Sequence, residues 1–347
     1  NFTRPVMQSM NINIINRKQY IGVIFLFFLF FLVTISITPL IGSVQIDLEK
    51  AFSRDLAFND NVDANILFLA RIPRIILAAL TGAALSVAGA ILQSLLRNDL
   101  AAPFTLGVSS GAALGAVIAI SLGLPYSIAG IPTVPIAAFL GSLGAISLVF
   151  SLARTRTGDF PTPILLLAGV TANFFFAALV MLIHYLSDFT QSFRIVRWLM
   201  GGLDITSYKT LISISPMIFI GFGVLIFYGR DFNVISTGIQ SAMSRGVEVI
   251  KVQKIGFIMA SLLTGAVVSL SGPIGFVGLI VPHIVRLIVG PDLRILLPAS
   301  IFFGASFLII CDTLARTLIA PTEIPVGIIT AMLGGPFFVW LLKRPKT

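Results

Sequence analysis

Charge is what this 347-residue chain has least of: 11% of its residues are Asp, Glu, Lys or Arg, against about 25% in soluble domains. With 57% hydrophobic residues and a mean hydropathy of +1.02, that scarcity excludes a water-soluble globule, whose interior could not hide so much apolar surface. The solvent is lipid. Cysteine is nearly absent too. Cys311 stands alone, so no internal disulfide forms and no thiol cluster awaits a metal; packing inside a helix is its expected role. The two histidines, His184 and His283, share no HExxH or other ligand spacing, and neither a metal site nor a catalytic centre is expected. No GxxxxGKS/T run occurs, and the dipeptide Gly-Lys is missing altogether, which removes a P-loop and any nucleotide held by one. Short alternating segments, the signature of barrel strands, are lacking as well. Only helices remain to satisfy the backbone in a bilayer.

What the chain has instead is long uncharged runs. A charge at the bilayer centre is costly, and a spanning helix needs about 20 apolar residues. On that basis 19–46, 75–96, 160–187, 210–229, 295–318 and 324–342 each hold one span. The stretch 100–153 holds two, separated by Gly and Pro signals over 122–135. The stretch 255–285 is long for one span and short for two; Ser271-Gly272-Pro273 breaks it into a full span and a short one. Residues 20–41 exceed a signal-peptide core of ~7–15 residues and read as a retained first helix. The expected fold is therefore all-α, a polytopic domain of ten helices over 20–342, with tails at 1–19 and 343–347 and a long loop at about 230–254.

Ten spans put both tails on one side. That side collects 15 of the 23 lysines and arginines, among them Arg4, Arg97, Arg154, Arg156, Arg245, Lys251, Lys254, Arg286, Arg344 and Lys346. The other side has 8, including Lys50, Arg54, Arg71, Arg74 and Arg316, and most of the acids, such as Asp47, Glu49, Asp55, Asp60 and Asp63. The positive-inside rule then places both tails in the cytoplasm. The net charge of +9 is thus a matter of topology, and no nucleic-acid partner is expected.

Four local patterns stand out. Gly82, Ser86 and Ala90 repeat at small-xxx-small spacing, which lets helix backbones approach closely in lipid; plain packing explains them. Arg71-Ile-Pro-Arg74 opens the second span. Interfacial snorkelling accounts for such a pair, and docking of a partner's carboxylates is the alternative. Asp312 and Arg316, at i and i+4, form a favourable helical pair that either neutralises itself at the membrane edge or turns Arg316 outward. In the long loop, Gly238 and Gly246 bracket a helix-length piece, which is an ordinary surface loop or a short helix that meets a partner.

Five segments, in order, resemble one family. They are Arg71-Ile-Pro-Arg74; Arg97-Asn-Asp-Leu-Ala-Ala-Pro103 with Leu106-Gly-Val-Ser-Ser-Gly-Ala; Gly272-Pro-Ile-Gly-Phe-Val-Gly-Leu-Ile-Val-Pro-His283 with Arg286; Asp312-Thr-Leu-Ala-Arg316; and Glu323-Ile-Pro-Val-Gly327 with Gly334-Gly-Pro-Phe-Phe338. From about Arg71 to Lys343 the chain resembles the permease subunits of type II ABC importers for ferric siderophores, haem and vitamin B12. The resemblance implies a ten-helix permease in the cytoplasmic (inner) membrane of a bacterium, without enzymatic activity of its own. It implies a second permease copy, two separate ATPase subunits that hold the ATP-Mg, and an extracytoplasmic substrate-binding protein, with no cofactor on this chain. It implies docking of the binding protein by Arg71, Arg74 and Arg316, and contact with the ATPase through Gly238, Ala242, Gly246 and Val247. It implies a cytoplasmic gate at Asn98, Leu100, Thr162 and Pro163. The chain departs from the family at Ile239, where an acid is usual, at Asp99, where proline is usual, and at Pro163, where a small polar residue is usual. A ferric siderophore is the expected cargo, with haem or cobalamin as alternatives. A secondary transporter would need ionisable groups near the midplane, and Asp312 is the one candidate. An intramembrane enzyme would need a nucleophile–base pair or a metal cluster, and neither is legible.

Overall fold

The computed structural model describes residues 17–53, 58–125, 127–128, 131–154, 161–203 and 207–343. Most of the two expected tails therefore lies outside the described residues, as do Arg4, Arg54, Asp55, Arg156, Arg344 and Lys346.

The chain enters through α1 (Arg17–Ile37) and crosses two short helices, α2 (Leu48–Phe52) and α3 (Val62–Asn65). Side chains start both: Asp47 accepts from the amides of Glu49 and Lys50, and Asn61 from that of Ala64. α3 runs through a π-helical stretch, Ile66–Arg71, into α4 (Ile72–Leu96), which stops where Arg97 adopts a left-handed φ of 47°. α5 (Val108–Ser121) and α6 (Thr133–Ala153) follow, with a two-residue antiparallel ladder, Ser127–Ile128 against Ile131–Pro132, between them. Then come α7 (Thr162–Leu186), α8 (Phe189–Leu199) and α9 (Tyr208–Phe227). α10 (Gly229–Thr237) and α11 (Ile239–Ser244) are short and lead into α12 (Val249–Ser271). Gly272, at φ 64°, ends α12, and α13 (Val277–Val289), α14 (Leu293–Thr317) and α15 (Val326–Lys343) complete the order.

Seven of these helices are long and apolar enough to cross a bilayer, and α5, α13 and α15 are shorter apolar helices. Together they match the ten spans expected from the sequence, including the break after Ser271. α5 begins later than the uncharged run suggests, because Pro103–Leu106 forms a separate 3-10 turn. With 14 and 13 residues, α5 and α13 are about 20 Å long, short of a hydrocarbon core of about 30 Å. α8 is the longest helix the sequence reading passed over; the short α2, α3 and α10 are the others.

α4 is the axis of the molecule. From Thr81 to Gln93 every residue is buried, against α9, α12, α13 and α14. Small residues make that possible. A Cβ on Gly82 would stand 2.1 Å from the carbonyl oxygen of Gly304, and one on Gly89 would stand 1.8 Å from that of Gly278. Ser86 fills the same contact from the side and donates to the Gly82 carbonyl at 2.6 Å. The Gly82/Ser86/Ala90 repeat is thus a packing stripe. α1 sits outside this core, against α14, through edge-to-face rings such as Phe27–Phe303 with centroids 5.8 Å apart.

Candidate functional site

The loops gather on two faces. Tyr20 at the start of α1, Asn233 in α10 and Arg294 in α14 all converge on Asp292, which defines a proximal face. The distal face carries residues 38–53, 58–74, 187–203, 207–209 and 312–325.

On the distal face an ionic network buries most of its charge. Arg74 reaches across from α4 to α14: its Nε donates to both Asp312 oxygens at 3.0 and 3.1 Å, and its Nη2 lies 2.9 Å from Oδ1. Its Nη1 meets Glu323 at 2.6 Å. Arg316 Nε donates to Asp312 Oδ2 at 3.1 Å, Nη2 to the Thr313 hydroxyl at 3.4 Å and Nη1 to the Ile41 carbonyl at 3.5 Å. Arg71 donates to the carbonyls of Pro39, at 2.6 Å, and Val44. Its guanidinium lies so close to Gly42 that a Cβ there would be 2.6 Å from Nη2. Arg74 and Arg316 thus share Asp312, and Arg71 is held by backbone carbonyls of the 38–44 segment.

The geometry sets the three arginines apart from one another. Arg71 and Arg316 are each 5% exposed and Asp312 1%, so neither of those two guanidiniums is displayed to a partner. A buried cation needs hydrogen-bond acceptors and counter-charge, and backbone carbonyls from a segment far away in sequence supply them. Nothing in the local pattern signals those carbonyls. Arg74 alone of the three keeps a link to the surface, through Glu323, whose side chain is 45% exposed.

The proximal face carries the other expected residues. Gly238, at φ 147°, separates α10 from α11, and Gly246, at φ 79°, follows it. The Ala242 amide donates to the Gly238 carbonyl at 2.9 Å, and the Val247 amide to the Ala242 carbonyl at 3.1 Å. Ala242 itself is fully buried. It is the inward anchor of α11, and the outward side is made by Ile239 and Met243, 45% and 62% exposed. The sequence reading missed what holds this platform. Asn233 Nδ2 donates to Asp292 Oδ1 at 2.7 Å and its Oδ1 accepts from the Leu293 amide at 2.9 Å. Burial pushes the Asp292 carboxyl up, but hydrogen bonds from Arg294 and Asn233 outweigh it and bring it down to about 2.

Of the expected gate residues, Asn98 Oδ1 caps the Leu100 amide at 2.9 Å, and Leu100 is 55% exposed. Thr162 and Pro163 open α7. No hydrogen bond joins the two pairs among the described residues. Asp99 has a partner of its own: it forms an ion pair with Arg286, which also donates to Gln93 at 3.0 Å, and Gln93 Nε2 donates to the Gly278 carbonyl at 3.3 Å. This chain links α4 to α13 and was not anticipated, although Arg286 follows one of the five family-like segments. The Nε2 atoms of His184 and His283 are buried without a hydrogen bond, and no cluster of metal ligands occurs among the described residues.

Comparison with known proteins places this arrangement. The family model described as the FecCD transport family matches residues 26–344. The cobalamin import system permease protein of Halobacterium salinarum is 43% identical over 301 residues, covering 85% of this chain and 78% of that protein. The hemin transport system permease protein of Yersinia pestis is 38% identical over 320 residues, 91% of this chain and 95% of that one. Among solved structures, a metal-chelate-type ABC transporter in an inward-facing conformation superposes with a TM-score of 0.80 at 30% identity, over 94% of this chain and all of that one.

Proposed function

The chain belongs to the FecCD transport family, and from that premise we propose that it carries a ferric siderophore through the cytoplasmic membrane of a bacterium. Its coarser role is that of permease in a metal-chelate-type ABC importer. In the proposed assembly two copies form the pathway, two ATPase subunits bind on the proximal face, which is cytoplasmic, and a binding protein delivers cargo to the distal face. Haem and cobalamin are the alternative cargoes, and relatives named for hemin and cobalamin keep both in play.

The observation that carries this reading is the α10–α11 platform. It is fixed to α14 through Asn233 and Asp292, yet it presents Ile239 and Met243 outward. Exposed apolar side chains outside the membrane spans call for a protein partner. A rigid link from that surface to the core lets ATPase closure bias two permease states, which is what coupling requires. An ion-coupled carrier is the weaker reading, because Asp312, its one candidate acid, is occupied by Arg74 and Arg316.

Docking of the binding protein is assigned to Arg74 rather than to all three arginines. Glu323 is a half-exposed counter-ion, and an incoming carboxylate takes its place on Nη1. The gate is assigned to Leu100 and Pro163, both exposed on the proximal face, meeting their counterparts across the permease pair.

The test is uptake into proteoliposomes that hold the permease with its ATPase and binding protein. Ferric siderophore accumulation that requires ATP supports the reading. Uptake by the permease alone on a proton or sodium gradient overturns it, and ATP-driven uptake of cobalamin or haem in preference reassigns the cargo.

A further inference from the structure

α6 and α12 touch and then diverge. At Gly265 a Cβ would stand 2.3 Å from the Ser142 hydroxyl oxygen, so the helices are in full contact there. Toward the proximal face a groove of about 650 Å³ opens between them, walled on one side by Leu143, Ser147, Ser151 and Arg154 and on the other by Ile250, Lys254, Ile258 and Leu262. The α12 residues recur every four positions, which makes one straight ridge. The serines leave no polar demand on the wall: Ser147 donates to the Leu143 carbonyl and Ser151 to that of Leu148, each at 2.8 Å. The polar end is different. Arg154 and Lys254 are both exposed and have no ion-pair or hydrogen-bond partner among the described residues. A second opening beside it shares Lys254 and Ile258 but is lined also by Met243, Val247 and the Glu248–Lys251 ion pair, and so belongs to the α11 platform rather than to the groove.

From this juxtaposition we infer that the α6–α12 groove is a binding site for an anionic phospholipid, with acyl chain against Leu143, Ile258 and Leu262 and headgroup phosphate on Arg154 and Lys254. Aliphatic walls ending in unpaired cations at the membrane surface are complementary to that molecule at both ends. Basic pockets between transmembrane helices take acidic headgroups for this reason. A zwitterionic lipid meets the same walls but brings its own cation to the rim. The inference rests on the membrane placement proposed above. Because lipid retention is read without cargo or ATP, its failure is separate from a failure of the importer reading.

The experiment is lipid retention by the purified full-length chain, exchanged from detergent into mixtures of phosphatidylglycerol and phosphatidylcholine and weighed by native mass spectrometry. The wild type is expected to retain phosphatidylglycerol preferentially. Arg154→Gln and Lys254→Gln are each expected to lower that preference about fivefold, and the double variant further, from the contribution of one basic side chain at an anionic surface. Arg154→Lys keeps the preference. Ser147→Trp, which fills the groove and leaves the cations, loses retention of both lipids. Equal retention of the two lipids by the wild type, or an undiminished preference in the double variant, overturns the proposal. So does displacement of the lipid by glycerol phosphate, which makes the rim a free-phosphate site. Efficient disulfide formation between copies carrying Ser151→Cys would assign the groove to a second permease instead.

Discussion

Asp312 is the residue on which the distal face turns. It is 1% exposed and receives both Arg74 and Arg316. Removing one member of a buried ionic cluster leaves the others uncompensated, at about 3–5 kcal/mol. Asp312→Asn is therefore expected to lower the thermal midpoint in detergent sharply, and a midpoint indistinguishable from wild type would show that water compensates the two arginines. Arg74→Glu also strips Asp312 of a partner, so its docking effect is read against Asp312→Asn, which disturbs the same cluster but keeps the docking cation. Close interfacial charge pairs couple by about 1.5–7 kcal/mol, so binding-protein affinity should fall, and Glu323→Gln, which frees Nη1, should leave affinity intact or raise it. Affinity measured at low and high salt on the reconstituted transporter decides this, and an unaffected Arg74→Glu returns the residue to a structural role. Asp292 makes a pH prediction. Its carboxyl falls from 3.8 to about 2 on folding. Its contribution to stability is therefore complete above pH about 4 and is lost as pH drops through about 2. Asp292→Asn should flatten the acid limb of the unfolding curve in that window, and an identical limb in both proteins would exclude the effect.

At the scale of elements, α11 yields a sharper contrast than the sequence allowed. Ala242→Asp buries a charge inside the chain's own fold and is expected to destabilise the isolated permease. Met243→Glu changes an exposed side chain and should leave the permease stable while weakening ATPase pull-down. If Ala242→Asp yields a fully stable permease, α11 is less tightly packed than its burial implies. Gly89→Val tests the α4–α13 contact: a branched side chain placed 1.8 Å from a backbone oxygen must push α4 and α13 away from each other, and overpacking costs at least about 1–3 kcal/mol. Most elements were legible because an uncharged run of the right length has one reading in lipid. α8 was not, because it is amphipathic and carries Arg194 and Arg197; counting uncharged stretches discards it. Its capping box, Asp188 with Gln191, was a signal that could have marked it. The arginines were legible by pattern, but the burial of Arg71 and Arg316 was not, since the carbonyls of Pro39, Ile41 and Val44 that hold them lie on a segment with no motif of its own.

In the whole molecule α4 is enclosed by α9, α12, α13 and α14, α5 to α8 pack beside this core through α12, and ionic clasps sit at the two faces. The sequence contains no P-loop, so the purified permease is expected to hydrolyse no ATP and to move no chelate until its ATPase is added. ATP turnover that persists in the isolated chain, free of contaminating ATPase, would contradict the assignment. Loop charge predicts a cytoplasmic proximal face, so a cysteine introduced at Ser241 should be labelled by an impermeant maleimide only after the membrane is opened. Labelling in intact cells would invert the topology.

The burial of α4 also says something about how the protein is made. α4 leaves the ribosome before every helix that later encloses it: its neighbours α9, α12, α13 and α14 are all encoded downstream. Gly82 must wait for Gly304, and Gly89 for Gly278. During that interval its small-residue stripe faces lipid or the insertion machinery. The segment's mean hydropathy of 2.3 lets it wait inside the bilayer alone. A nascent chain stalled before α14 thus exposes an unclad helix stripe, a feature that membrane quality control could read as a sign of incomplete synthesis.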